Sequence, residues 1–112
     1  MKHRTATRED LIAWFGNVPV SMRVLVLEDD GRIVGVAGVS VMVDHLQAFS
    51  SQRPEAGDGK IAKARMAVAF KALLKTAGGP VFALCSETEP TAPGLLSHLG
   101  FRPITQRQWR YG

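Results

Sequence analysis

Short runs rich in valine, leucine and isoleucine fill the first half of the chain, and one long stretch of helix formers dominates the second. Arg23 to Glu28 and Arg32 to Val41 predict two strands, with Asp29-Asp30-Gly31 as the tight turn between them. Gly35 and Gly38 inside the second run mark a bulge, a close backbone approach, or plain tolerance of glycine in a strand. Val43 to Phe49 predicts a further strand, antiparallel to the previous one through a tight connection near Asp44. His3 to Thr7 predicts a short opening strand. Thr7, with Asp10 three residues on, has the spacing of a capping box, so a brief helix should carry Leu11, Ile12, Trp14 and Phe15 until Gly16 to Pro19 stops it.

After a loop-like stretch from Ser50 to Gly59, Lys60 to Ala77 is the strongest helix, with Asp58 as its N-cap and Gly78-Gly79-Pro80 as its stop. Lys60, Lys63, Lys71 and Lys75 share one face, and the rest of the surface is almost wholly apolar, which predicts a helix largely buried against a sheet. Val81 to Cys85 is a continuous apolar run, the pattern of a central strand and one compatible with parallel pairing. Ser86 to Pro93 predicts a loop. Leu95, Leu96 and Leu99 then give a short helix with a narrow apolar face, and Gly100 sits where a left-handed cap is expected. Two terminal strands follow, around Phe101 to Ile104 and Gln106 to Tyr111.

A chain of 112 residues with 46% apolar and 21% charged residues accommodates a single domain, 1–112, with one core. Cys85 is the only cysteine, so no internal disulfide can form, and its apolar setting marks a small buried hydrophobe rather than a nucleophile. His3, His45 and His98 are scattered, which argues against a metal site, and His98 is expected on a solvent face. No apolar run approaches the roughly 18 residues that span a bilayer, which predicts a soluble, untargeted, cytoplasmic protein without a membrane partner. The net charge of +4 fits an anionic partner or a solvated basic surface. Without a zinc-finger, RNP or helix-turn-helix pattern, nucleic acid is not the expected partner.

The segment Leu95 to Phe101, reading LLSHLGF, resembles the "LYEKLGF" ending of the GCN5-related N-acetyltransferases, the GNAT family. The hairpin LVLEDDGRIVGVAGV resembles the family's second and third strands, often written with a DGxxVG turn, and the order of elements agrees along nearly the full chain. The resemblance implies an α/β (α+β) GNAT-like acyl-CoA N-acyltransferase fold: a mixed, mostly antiparallel sheet with one long central helix. It also implies transfer of an acetyl group from acetyl-CoA to an amine.

By that resemblance, backbone groups of the fourth strand, here at Phe49, meet the thioester. The following loop and helix start, here Gly57, Gly59, Lys60 and Lys63, hold the pyrophosphate, as the free N–H groups of a helix start allow. The family pattern in this loop is Gln or Arg, two residues, Gly, one residue, Gly or Ala. Gly57 and Gly59 keep the glycine spacing, Arg53 lies one residue too far away, and Asp58 puts a carboxylate between the glycines. The same glycines also suit a flexible loop. Lys71 and Lys75 lie about 16 and 22 Å up the helix from Lys60, beyond a Debye length of about 8 Å, so they should serve solubility.

The family's tyrosine, which can protonate the departing thiolate, falls on Leu96, which cannot. Glu87 and Glu89 after the fifth strand are candidate bases, as are Asp44 and His45 at the head of the fourth; surface roles are the alternative for each. About fifteen residues separate Thr7 from the second strand, where family enzymes place two helices that line the acceptor pocket. These departures resemble compact GNAT-like proteins of phage and prophage regions. They keep a second reading open: a non-catalytic phage structural or interaction module in a homo-oligomer or virion assembly, with Trp14, Phe15, Trp109 and Tyr111 as contact residues.

Overall fold

The computed structural model describes residues 2–17, 21–52, 60–85 and 92–112, with only the backbone at 60, 62 and 63. The elements are β1 (Lys2–Thr5), α1 (Arg8–Phe15), β2 (Met22–Asp29), β3 (Arg32–Val41), β4 (Leu46–Gln52), α2 (Lys60–Lys75), β5 (Val81–Leu84), α3 (Ala92–Leu99), β6 (Arg102–Pro103) and β7 (Gln108–Tyr111). One seven-stranded sheet runs β1-β2-β3-β4-β5-β7-β6. Every pairing is antiparallel except β4 with β5.

Local chemistry sets most of these boundaries. The Thr7 hydroxyl accepts from the Asp10 amide at 3.2 Å, and the Asp10 carboxylate accepts from the Thr7 amide at 2.8 Å, closing the capping box that starts α1. Asp29 pairs with Arg32 across a two-residue turn in which Asp30 (φ 51°) and Gly31 (φ 76°) both take positive φ, as a type I′ hairpin requires. At the end of α3 the Phe101 amide reaches back to the Leu96 carbonyl at 2.9 Å and the Gly100 amide to Ser97 at 3.0 Å. That is a Schellman cap, with Gly100 at φ 99°.

The sheet has two unlike faces. On one, Phe70 and Leu74 of α2 pack with Val39, Val81, Leu99 and Phe101. On the other, Leu11 and Trp14 of α1 cover Val24, Val26 and Val36. A bulge in β3 serves both: Leu27 pairs with Gly35 and Glu28 with Ile33, so Val34 is an extra residue. It turns Val34 toward Leu27 and Met66, while Ile33 stays with Val36 on the α1 side. Leu27, Leu74 and Val26 are almost fully buried, each contributing about 1.5–3 kcal/mol by leaving water.

Several expectations need correction. The β4 strand starts at Leu46 rather than Val43, because residues 42–45 form the connection, closed by the Met42 amide on the His45 carbonyl at 2.8 Å. The α2 helix is not largely buried: Met66, Phe70 and Leu74 form one buried stripe, whereas Ile61 (73% exposed) and Val68 (67%) face outward. Lys71 is half-buried and Lys75 exposed, so the two do not share one environment. The β5 strand is buried on one face only; Val81 and Ala83 are inside and Leu84 is 61% exposed. Helix α3 begins at Ala92, inside the expected loop, with Pro93 in its first turn, where a missing N–H costs nothing. Of the aromatics named as contact candidates, Trp14 packs in the α1-side core, Trp109 and Tyr111 pack on the α2-side core, and Phe15 meets Phe49 edge-on at 5.8 Å while staying 38% exposed.

Candidate functional site

The β4 strand bonds β3 along its whole length, from Leu46 opposite Val41 to Gln52 opposite Gly35. On its other edge it meets β5 at only two positions, Leu46 with Val81 and Gln47 with Phe82. Beyond them the two strands separate. Alternate residues of an antiparallel strand turn their N–H and C=O groups to each side, so the stretch from Ala48 to Gln52 presents backbone donors and acceptors to the gap.

A cleft of about 630 Å³ fills this gap. The size is ordinary for a small-molecule site, about 300–1,000 Å³. Ala48, Phe49 and Ser50 form one wall and Ala83 and Leu84 the other. Met66, Ala67 and Phe70 close it from α2, and Leu95, Leu96 and Leu99 from α3. Gly35 and Ala37 of β3 form part of the floor. Among the described lining residues only Ser50 and Gln52 are polar and none is titratable.

The position of Phe49 depends on Gly38. A Cβ at Gly38 would stand 2.3 Å from the Arg23 carbonyl oxygen and 3.1 Å from Cζ of Phe49. The glycine lets β2, β3 and the Phe49 ring close together, and the ring stacks edge-on against Phe15. The Phe49 side chain therefore points to the α1 side while its backbone forms the cleft wall.

The sequence-derived site residues divide accordingly. Phe49 and Leu96 both line the cleft. Lys60 opens α2 and Lys63 lies one turn on. Their side chains, and Gly57, Gly59, Arg53, Asp58, Glu87 and Glu89, lie outside the described residues. Asp44 and His45 are corrected: they sit on the β3–β4 connection, at the opposite end of β4 from the gap, and pair with each other at 2.5 Å. The bond to His45 holds the Asp44 carboxyl below its usual range, and the bonds to Asp44 and Gln47 raise the imidazole. His98 is exposed and Cys85 buried, as expected. The sequence reading missed Ala48, Ala67 and Ala83, small residues whose size leaves the cleft open; nothing in their local pattern distinguishes them from core positions. Among the described residues no group of three or more metal-ligating side chains comes together, and no helix is long and apolar enough to cross a membrane.

A mostly antiparallel sheet that splits between two parallel strands, with a long helix leading from the first strand to the second, defines the acyl-CoA N-acyltransferase architecture. ElaA from Escherichia coli matches over 100% of both chains with a TM-score of 0.71 at 9% identity. The ribosomal-protein-alanine N-acetyltransferase from Brucella melitensis matches 98% of this chain and 96% of its own with a TM-score of 0.66 at 15% identity. The PaiA N-acetyltransferase from Thermoplasma acidophilum, solved in complex with coenzyme A, matches 92% of this chain and 66% of its own (TM-score 0.59, 14% identity). No protein-family model matches the sequence, and no curated protein matches it. The chain has the GNAT fold.

Proposed function

We propose that the chain is an acetyl-CoA-dependent N-acetyltransferase that binds its acyl donor in the β4–β5 cleft and passes the acyl group to an amine. One observation carries this reading: the free edge of β4, residues 48–52, faces an apolar cleft. A pantetheine arm needs both features, amide partners in strand geometry and apolar walls. The donor supplies an activated thioester carbonyl. The β4 amides then hold the carbonyl oxygen as negative charge develops on it, and a strand fixed by β3 needs no rearrangement to do so.

Gly57, Gly59, Lys60 and Lys63 hold the pyrophosphate in this reading, and Glu87 or Glu89 takes a proton from the amine. The described cleft offers no side-chain acid; Leu96 has no proton to give, so the departing sulfur takes its proton from water or from the incoming amine. That makes for slow chemistry. A non-catalytic role for the same fold, as an interaction or phage structural module, draws its support from the same absence of an acid in the described lining.

Thiol release from acetyl-CoA in the presence of primary-amine peptides separates the two. Release that depends on both substrates and ends on substitution of Ala48 by phenylalanine supports transfer. Binding of acetyl-CoA without release over any amine tested supports the non-catalytic role.

A further inference from the structure

Among the described residues, α1 covers its side of the sheet over β2, β3 and Phe49 of β4. Toward the other edge, a row of directly paired residues crosses four strands on that face: Gln47, Phe82, Arg110 and Arg102. Leu84, two residues beyond Phe82 and so on the same face, is 61% exposed and also lines the cleft. The guanidinium of Arg110 lies 5.9 Å from the centre of the Phe82 ring and donates to the Gly112 carbonyl at 2.8 Å.

Arg102 and Arg110 stand directly opposite each other, both exposed; Arg110 is held by the Gly112 main-chain oxygen, and neither arginine meets an Asp or Glu side chain among the described residues. Like charges in that position destabilise a sheet. A folded chain tolerates them at low cost in water, but a surface that keeps two fixed cations beside an aromatic and an apolar side chain is built to receive negative charge. We infer that this face docks an acidic polypeptide segment, with its carboxylates on Arg102 and Arg110 and its apolar side chains on Phe82 and Leu84.

Other occupants fit less well. A second copy placed by a two-fold axis through the arginine pair would bring arginine to arginine. A nucleic acid gains its affinity from many phosphate contacts, about 6–10 in a well-bound case, and this row supplies two cations. Arginine is the side chain best shaped for carboxylates, which it binds through two parallel N–H groups. Docking stands independently of acyl transfer. Where the acetyltransferase reading also holds, Leu84 joins the two surfaces, so the acceptor amine belongs to an acidic segment entering from this side.

The test is fluorescence anisotropy without acetyl-CoA, using a labelled glutamate- and leucine-rich peptide, its lysine-for-glutamate counterpart and labelled oligothymidylate. The acidic peptide should bind, weaken with added salt, and lose at least about tenfold in affinity in the Arg102→Gln, Arg110→Gln double variant. Leu84→Ser should weaken it without changing the salt dependence. Because Arg110→Gln also removes the contacts to Phe82 and Gly112, circular dichroism should show the double variant folded before the affinities are compared. Absence of acidic-peptide binding, equal or better binding of oligothymidylate, or binding unchanged in the double variant would each overturn the inference. Self-association lost in the double variant would also overturn it, in favour of a second copy as occupant. An acetyl-CoA binding failure alone would count against the acetyltransferase reading and leave the docking result untouched.

Discussion

Arg4 grips Asp10 with two guanidinium nitrogens, Nη1 at 2.5 Å from Oδ2 and Nη2 at 3.2 Å from Oδ1, and binds Glu28 through Nε at 2.7 Å. One side chain of β1 thus ties the first turn of α1 to the end of β2. The same carboxylate caps the helix through the Thr7 amide. These bonds, Arg4 foremost, hold the Asp10 carboxyl well below its ordinary value of 3.8.

A depressed carboxyl stabilises the fold fully above its unfolded pKa, and the contribution is lost as pH falls through that value and below it. Asp10→Asn should therefore melt lower than the parent at about pH 7, and the gap should narrow steadily below about pH 4. Thermal melts across that range check it. A constant gap at all pH values would mean that the carboxylate charge contributes nothing.

His45 behaves in the opposite sense. Its imidazole is raised above 6.5 by the bond to Asp44 and then by Gln47, so its contribution is present below 6.5 and lost as pH rises through the folded-state value. Titration followed by NMR should give a midpoint above 6.5 in the parent, and Asp44→Asn should bring it back toward that value. Acyl-donor affinity should not follow this titration, because the pair lies at the far end of β4 from the gap.

Among the described glycines, Gly38 has the least room for a side chain. Gly38→Ala puts a methyl group 2.3 Å from the Arg23 carbonyl oxygen, a backbone atom that cannot swing away. Overpacking of this kind costs about 1–3 kcal/mol. Chemical denaturation should show a loss of that order. Acyl-donor affinity should fall as well, because the displaced Phe49 carries the β4 wall.

The hairpin, the capping box and the glycine cap of α3 are legible in the sequence because each is fixed by residues within a few positions of one another. Asp30 and Gly31 specify their turn with no help from the rest of the chain, as do Thr7 and Asp10. The exposed face of α2 is not legible in this way. Ile61 and Val68 are as apolar as the buried Met66 and Phe70, and a helix with apolar residues on more than one stripe does not declare which stripe meets the sheet. The cleft is harder still. It arises where β4 and β5 stop pairing after Gln47 and Phe82, a relation between segments more than thirty residues apart. The resemblance to the GNAT family proposed Phe49 for the donor site, and Phe49 lines the cleft; local pattern alone would have left it an ordinary strand residue.

Leu96 lines the cleft, and the resemblance of LLSHLGF to the GNAT ending puts it where those enzymes carry a tyrosine. If departure of the thiolate is limited by the want of a proton, Leu96→Tyr should raise the turnover of acetyl-CoA with amine by about tenfold or more, toward the usual range for general acid catalysis. Donor affinity should change little. The gain should disappear as pH rises toward that of an ordinary phenol, about 10. Steady-state thiol release, with kcat and KM resolved separately, tests this. An unchanged kcat in a variant that still binds the donor would show that proton supply does not limit the reaction.

The most direct test of the account is isothermal titration calorimetry of acetyl-CoA into the parent protein and into Ala48→Phe. Ala48 pairs with Val39 and lines the cleft beside the free edge of β4, so the larger ring fills the space that the donor needs. The account expects saturable binding to the parent, weakened by salt, and its loss in the variant, with matching circular dichroism showing that both are folded. A folded parent that gives no binding heat and no thermal shift at millimolar acetyl-CoA, or a variant that binds as well as the parent, would contradict it.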